Sequence, residues 1–198
     1  MTSMETPRAW AKLEETVFFL DHLRQEHDAG TAESTRAFGF YLSAFLNAAY
    51  SLTVLLKFEA THIQGARKGA YNQWRSEFLG RLSAADGAIW STLGKHRTAE
   101  VHTTGVEVLR EERPAVPSED LPAGGLAHPQ AFYRILAAWY PGQMNLPQWA
   151  RAWRDAPLHH FEIEGERREV VRVCAAYVRL LHRFLDEFHA SPLARGGR

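Results

Sequence analysis

Apolar residues recur at helical spacing through most of the chain. Trp10, Leu13, Val17, Leu20 and Arg24 step by three and four, with Phe18 and Leu23 widening the face, which predicts a first helix over residues 10–27. Asp28-Ala29-Gly30 is its expected stop, because glycine accepts the left-handed conformation common at helix ends, and Thr31 has the character of a following N-cap. A central helix over residues 36–58 follows, bracketed by Glu33 and Glu59. Its expected core is Phe38, Tyr41, Leu42, Phe45, Leu46, Ala49, Leu52, Leu55 and Leu56.

Residues 61–68 read as a connection, with Gly65 and Gly69 at its end. Tyr71, Trp74, Phe78 and Leu82 keep helical spacing and predict a third helix over 70–82. Ser83 and Asp86 are candidate caps for a fourth over about 84–110. Gly87, Gly94 and Gly105 argue for a break within that helix, since each glycine costs about 1 kcal/mol against alanine in a helix interior. Pro114, Pro117, Pro122, Gly124, Gly125 and Pro129 mark an irregular arm. Phe132, Ile135, Leu136 and Trp139 fit a short helix ended by Pro141-Gly142, and residues 160–165 fit a short strand or hairpin edge. A last helix over 166–189 carries Val170, Val173, Tyr177, Leu180, Leu181, Phe184 and Phe188 on one side.

The fold this predicts is all-α: an antiparallel bundle of about five helices in a single domain spanning 1–198. An irregular Pro/Gly-rich insertion at about 113–164, one short β-hairpin and a frayed tail at 191–198 complete it. The length of 198 residues suits one core. Phe38 to Leu56 is 19 residues without a formal charge, near the length that crosses a bilayer. Ser43, Asn47 and Ser51 recur every four residues along it, with Gly39 one step earlier, and a line of small polar groups suits contact with protein better than contact with lipid. A buried bundle helix, with no membrane partner, is therefore the expected reading.

Formal net charge is zero, so any anionic partner must be met by a local patch. Residues 64–98 hold Arg67, Lys68, Arg75, Arg81, Lys95 and Arg97 against only Glu77 and Asp86, a local surplus that fits equally a footprint for phosphate and a solvated face balanced by acids elsewhere. The one cysteine, Cys174, cannot form an internal disulfide, and the first residues have no apolar signal core. Both fit a cytoplasmic protein.

The chemistry-bearing segment runs from Leu93 to Gly105. It holds Lys95, His96, Arg97, Thr98, Glu100 and His102, with an arginine five positions before a histidine on a helix. In this it resembles the HEPN (higher eukaryotes and prokaryotes nucleotide-binding) family of small helical bundles, whose signature is Arg, a polar residue, a few variable residues, then His. Arg97 matches the arginine and His102 the histidine. The long helix at 36–58, the Tyr71-Asn72-Gln73-Trp74 segment and the last amphipathic helix are similar to bacterial members. Thr98 departs from the Asn, Asp or His that commonly follows the motif arginine.

The resemblance implies a homodimer that cleaves RNA without a metal or other cofactor, at a cleft where two protomers meet, in a defence or toxin–antitoxin setting with a protein partner such as an antitoxin. Arginine would bind a phosphodiester oxygen through its planar fork. Histidine would move the proton between the 2′-hydroxyl and the leaving oxygen. Arg97 and His102 are then the catalytic candidates, Thr98 and Asn47 supporting residues, and Lys95, His96 and Arg75 contacts for phosphate or RNA. Five helical residues separate Arg97 and His102 by roughly 140° around the axis, an objection that a site built from two copies relaxes.

Two other classes stay open. A non-catalytic nucleotide- or RNA-binding or protein-interaction module would keep the bundle without the reaction. A metal-dependent bundle enzyme would use some of the ten histidines, and around residues 182–190 the one candidate pair is His182 and Asp186, four apart.

Overall fold

The computed structural model describes residues 8–29, 32–63, 68–102, 109–110 and 159–194. The cap expected at Thr31, residues 64–67 of the 61–68 connection, Gly105, the proline-rich arm, the short helix near Phe132 and the last four residues lie outside them. Among the described residues the protein is a mainly α-helical bundle with a small antiparallel sheet. In chain order it has α1 (Arg8–Ala29), α2 (Ala32–Phe58), a π-helical turn (Glu59–Ile63), α3 (Lys68–Gly80) and α4 (Ala84–His102). Strands β1 (Leu109–Arg110), β2 (His159–Ile163) and β3 (Glu166–Glu169) then lead to α5 (Val170–Ala190).

Helices α1 and α2 form a hairpin packed along its length. The reason lies in matched apolar steps. Ala9, Leu13, Thr16, Leu20 and Leu23 are buried on α1, and Phe38, Leu42, Phe45, Ala49, Leu52 and Leu56 on α2. Both rows advance alternately by four and three residues, the spacing with which helices mesh at a shallow crossing angle. Thr16 enters this apolar row because its hydroxyl donates to the Lys12 carbonyl at 2.7 Å. Val17 and Phe18, expected in the first helix's apolar face, are exposed instead. Val17 lies about 80° around the axis from the row that α2 covers, and Phe18 about 180° from it.

The start of α1 is tied to the end of α2. The Ala9 N–H donates to the carboxylate of Glu59 at 3.2 Å, and Glu59 is buried. A carboxylate there satisfies a donor that a helix N-terminus leaves unpaired and complements the helix dipole. Glu59, expected to bracket the central helix, is also an internal cap.

Helix α5 closes the bundle through an aromatic cluster. Phe184 meets Trp74 at 5.0 Å and Phe78 at 4.9 Å between ring centroids, and Trp90 at 5.3 Å. Trp90 in turn meets Tyr177 edge-on at 5.3 Å. These rings hold α3, α4 and α5 together, and tilted and edge-to-face contacts of this kind add to the area they bury. Cys174 is fully buried in the same helix, and burial pushes its thiol far above the ordinary range.

Two boundaries differ from the sequence expectation. The last helix begins at Val170, because residues 166–169 pair with β2 in the register Ile163↔Glu166 to His160↔Glu169. The turn between them is Glu164-Gly165, both at positive φ (54° and 79°), the arrangement of a two-residue hairpin turn that glycine favours. The fourth helix ends at His102 instead of about 110, and Leu109–Arg110 form a strand on the other side of β2. Gly105 and the β-branched residues Thr103, Thr104, Val106 and Val108 are poor helix formers. Gly87 and Gly94, by contrast, lie within α4 without breaking it.

The tail expected from 191 turns back at its start. The Ser191 N–H and hydroxyl both donate to the Phe188 carbonyl, at 2.9 and 2.6 Å, and Leu193 and Ala194 pack on the core.

Candidate functional site

Helix α4 sets out the site. Trp90, Leu93, Gly94 and Arg97 follow at i, i+3, i+4 and i+7, so they share one face. That face borders a cleft of about 280 Å³ whose other walls are Leu46, Tyr50 and Thr53 from α2, Arg75 from α3 and Tyr177 from α5, with Ser91 at its edge. Four elements distant in the chain therefore meet around it. Among the described residues its lining holds two guanidinium-bearing side chains and no carboxylate.

Arg97 is held in a defined place. Its guanidinium carbon lies 3.6 Å from the centroid of the Tyr50 ring, a cation–π stack that orients the planar fork. Its Nε is buried and has no hydrogen-bond partner among the described residues. A buried guanidinium N–H without an acceptor is costly, and an anionic oxygen in the cleft would be a suitable acceptor. Gly94 contributes by omission: a side-chain carbon built there meets nothing within 4 Å, so the wall is open where it stands.

Arg75 lies half-buried on α3, close enough to two buried tyrosines to act on their titration. Burial pushes the Tyr71 phenol up to about 12, with Arg75 opposing. Burial likewise pushes Tyr177 up, again with Arg75 opposing. Both phenols are neutral donors at physiological pH. Tyr71 spends its hydroxyl on the Thr53 carbonyl at 3.5 Å.

The structure brings together Arg97 and Arg75 from the sequence candidates and disperses the others. The Thr98 hydroxyl donates to the Gly94 carbonyl at 3.0 Å, one turn back on its own helix. The Asn47 amide donates to the Ser43 carbonyl at 3.1 Å on α2, and Asn47 is not part of the cleft lining. His96 stacks on Phe161 of β2, with ring centroids 4.5 Å apart, so it faces the hairpin. Lys95 is exposed. His102 is the last residue of α4, and its side chain lies outside the described part of the structure. By helical spacing, position 101 continues the Trp90–Arg97 face, and position 102 is rotated from Arg97 by roughly 140°.

Among the described residues no three His, Cys, Asp or Glu side chains gather as a metal-ligating set. His182 and Asp186 meet as an exposed pair at 2.8 Å. Two buried histidines stand elsewhere: His159 stacks on Phe38 at 3.9 Å, and His160 lies beside it in β2. Helix α2 is long and apolar enough, over Arg36–Thr61, to cross a membrane by length and composition, and its buried face is the centre of the bundle.

Sequence reasoning overlooked Tyr50, Thr53, Trp90, Ser91 and Tyr177. Beyond the charge of Arg75 and Arg97, the i, i+3, i+4, i+7 spacing from Trp90 to Arg97 is the signal of the cleft that the sequence carries. Comparison with known proteins finds no matching family model, no matching curated protein and no matching solved structure.

Proposed function

We propose that the α2–α5 cleft binds the phosphate of a nucleotide or of an RNA strand, with Arg97 as the principal contact and Arg75 as the second. One observation carries this reading: among the described residues two arginines and no carboxylate line the cleft, and one of the arginines is stacked in place with a buried N–H lacking an acceptor there. Guanidinium groups suit phosphate because their paired donors match its oxygens. The aromatic walls, Tyr50, Trp90 and Tyr177, supply surfaces on which a base or sugar can rest. A cleft of about 280 Å³ lies at the small end of ligand sites, which favours a single nucleotide unit over a folded RNA.

Titration with adenosine monophosphate and with a short single-stranded RNA tests this directly. Binding by the wild type, weakened in both Arg97→Ala and Arg75→Ala, supports it. Equal affinity in wild type and both variants sinks it. For the RNA, the slope of log affinity against log salt should flatten by about 0.7 for each phosphate contact removed.

The HEPN-like ribonuclease is the catalytic extension of the same reading, with His102 as the proton-transfer group. Helical spacing turns position 102 away from the cleft-lining face, so cleavage would need the phosphate to reach a second edge of α4. RNA cut in EDTA by the wild type but not by His102→Ala supports cleavage. RNA bound and left whole restricts the protein to binding.

A further inference from the structure

The cleft has a buried floor and an exposed rim. Leu46, Trp90, Leu93 and Tyr177 line it and are at most 9% exposed, so they close it from below. Tyr50, Ser91 and Gly94, also in the lining, are exposed and border its mouth. Arg75 and Arg97 are half-buried and stand between these two levels. A floor of aliphatic and aromatic side chains suits the flat, uncharged end of a ligand. The charged end then belongs beside the arginines.

The charge of these two arginines is not balanced by the protein around them. Arg24, Arg81, Arg168, Arg172 and Arg183 each meet a carboxylate. Arg75 and Arg97 meet none among the described residues. On α3, Glu77 is exposed and accepts from Gln73 of its own helix. On α4, Lys95 is exposed and His96 stacks on Phe161 of β2. Among the described residues the lining therefore carries two positive charges and no carboxylate, imidazole or thiol, the side-chain types that ordinarily titrate below about pH 9.

One negative charge would leave one of the two arginines unmatched. A phosphate inside a nucleic-acid strand is a diester and carries one. A terminal phosphate is a monoester, and it carries close to two at neutral pH because its second proton leaves near pH 6, at about the value for phosphorylated side chains. A diester must also continue as chain on both sides, whereas a cleft with a closed floor and one rim receives an end.

Resting on the phosphate reading above, we propose that the ligand is a phosphomonoester dianion, with its planar end on the floor and its phosphate between Arg75 and Arg97 at the mouth. Arg97 arrives oriented by Tyr50, and Arg75 answers it from α3, so each guanidinium meets its own pair of phosphate oxygens. A free mononucleotide and the phosphorylated end of a strand both have this chemistry. The internal phosphodiester that the resemblance to the HEPN family implies does not.

Isothermal titration of the full chain tests this with the common ribonucleoside 5′-monophosphates, each against its methyl ester, which keeps base, sugar and phosphate but has one charge fewer. At neutral pH the monophosphate that binds best should bind at least about 10-fold more tightly than its ester, the worth of a charged hydrogen bond. Lowering the pH to about 5, below the second phosphate pKa, should bring the monophosphate to within about twofold of its ester and leave the ester's affinity unchanged, with circular dichroism showing the fold intact at both values. Arg75→Ala should shrink the neutral-pH ratio to about threefold or less, whereas a merely structural loss would weaken both ligands alike and keep the ratio. A 5′-phosphorylated trinucleotide that binds as tightly as the mononucleotide assigns the cleft to strand ends, and one that binds more weakly assigns it to free nucleotides. Equal affinity for monophosphate and ester at neutral pH, with both weakened by Arg97→Ala, overturns the inference and leaves the phosphate reading standing. Failure of every one of these ligands to bind overturns both.

Discussion

The inner and outer faces of α2 share one helix and one spacing, yet they differ in everything else. The inner row is wholly apolar and is covered by α1 and α5. The outer row, Phe40, Ala44, Asn47, Ser51, Val54 and Phe58, is apolar only at its ends, has Asn47 and Ser51 at its middle, and is exposed at Phe40, Val54 and Phe58. Spacing alone therefore does not say whether a helix face is covered. Composition adds what spacing lacks: an all-apolar row is buried on folding, whereas a row interrupted by small polar groups tolerates water.

The sharpest way to break this contrast is to truncate one residue in each row. Leu52→Ala should cost about 2–5 kcal/mol of unfolding free energy, because the cavity it leaves is fully enclosed. Urea denaturation measures it. The next effect falls at the border between the faces, where Tyr50 carries Arg97. Arg97→Ala should lower affinity for adenosine monophosphate by about 10- to 100-fold, the worth of a charged hydrogen bond, and isothermal titration would read it.

A smaller change has the opposite sign. Gly94→Ala meets no neighbour and should raise stability by about 0.5–1 kcal/mol through helix propensity. It should also narrow the cleft and weaken binding. On the outer row, Phe40→Ser should move the protein's stability by no more than about 0.5 kcal/mol. A loss comparable to that of Leu52→Ala would mean that the outer row belongs to the core.

Away from α2, Glu187 provides the weakest effect and a check on pH. Burial works to raise its pKa, but hydrogen bonds from Arg183 and Arg81 outweigh it and hold the carboxyl below the ordinary range. A depressed folded-state pKa means that the contribution is complete above the unfolded value, about 4.3, and is lost as pH falls through the folded one. Glu187→Gln should therefore cost at most about 1 kcal/mol at neutral pH, since the cluster is largely exposed. The difference should vanish in strong acid, as thermal denaturation at a series of pH values would show.

Most of the helices were legible because periodicity is a local property. Phe38 to Leu56 could be assigned as a buried helix, and Val170 to Phe188 as a one-sided helix, from neighbours a turn away. Boundaries were legible only where a residue forces them. Gly165 marks a hairpin, but Glu166 to Glu169 continue the helical pattern by composition and become strand through pairing with β2, which no local rule conveys. Val17 and Phe18 show the related difficulty, since apolar character does not reveal which edge of a wide stripe is covered.

The cleft was half legible for the same reason. Arg97 and Arg75 stood out by charge, and Trp90 shares the arginine's face by spacing. Tyr50 and Tyr177 reach the site from helices more than a hundred residues apart, and only tertiary packing brings them to Arg97. Thr98 and Asn47 hydrogen-bond to their own helices, a local competition that side chains of this kind often win.

Trp90 has a use beyond holding three helices together. It borders the cleft while sealed against Tyr177 and Phe184, so its emission responds to whatever enters from one side and to unfolding from the other. The difference between wild-type and Trp90→Phe spectra would isolate that signal from the five remaining tryptophans. The molecule thus contains its own label for occupancy, and ligands can be screened by fluorescence before anything is attached to the protein.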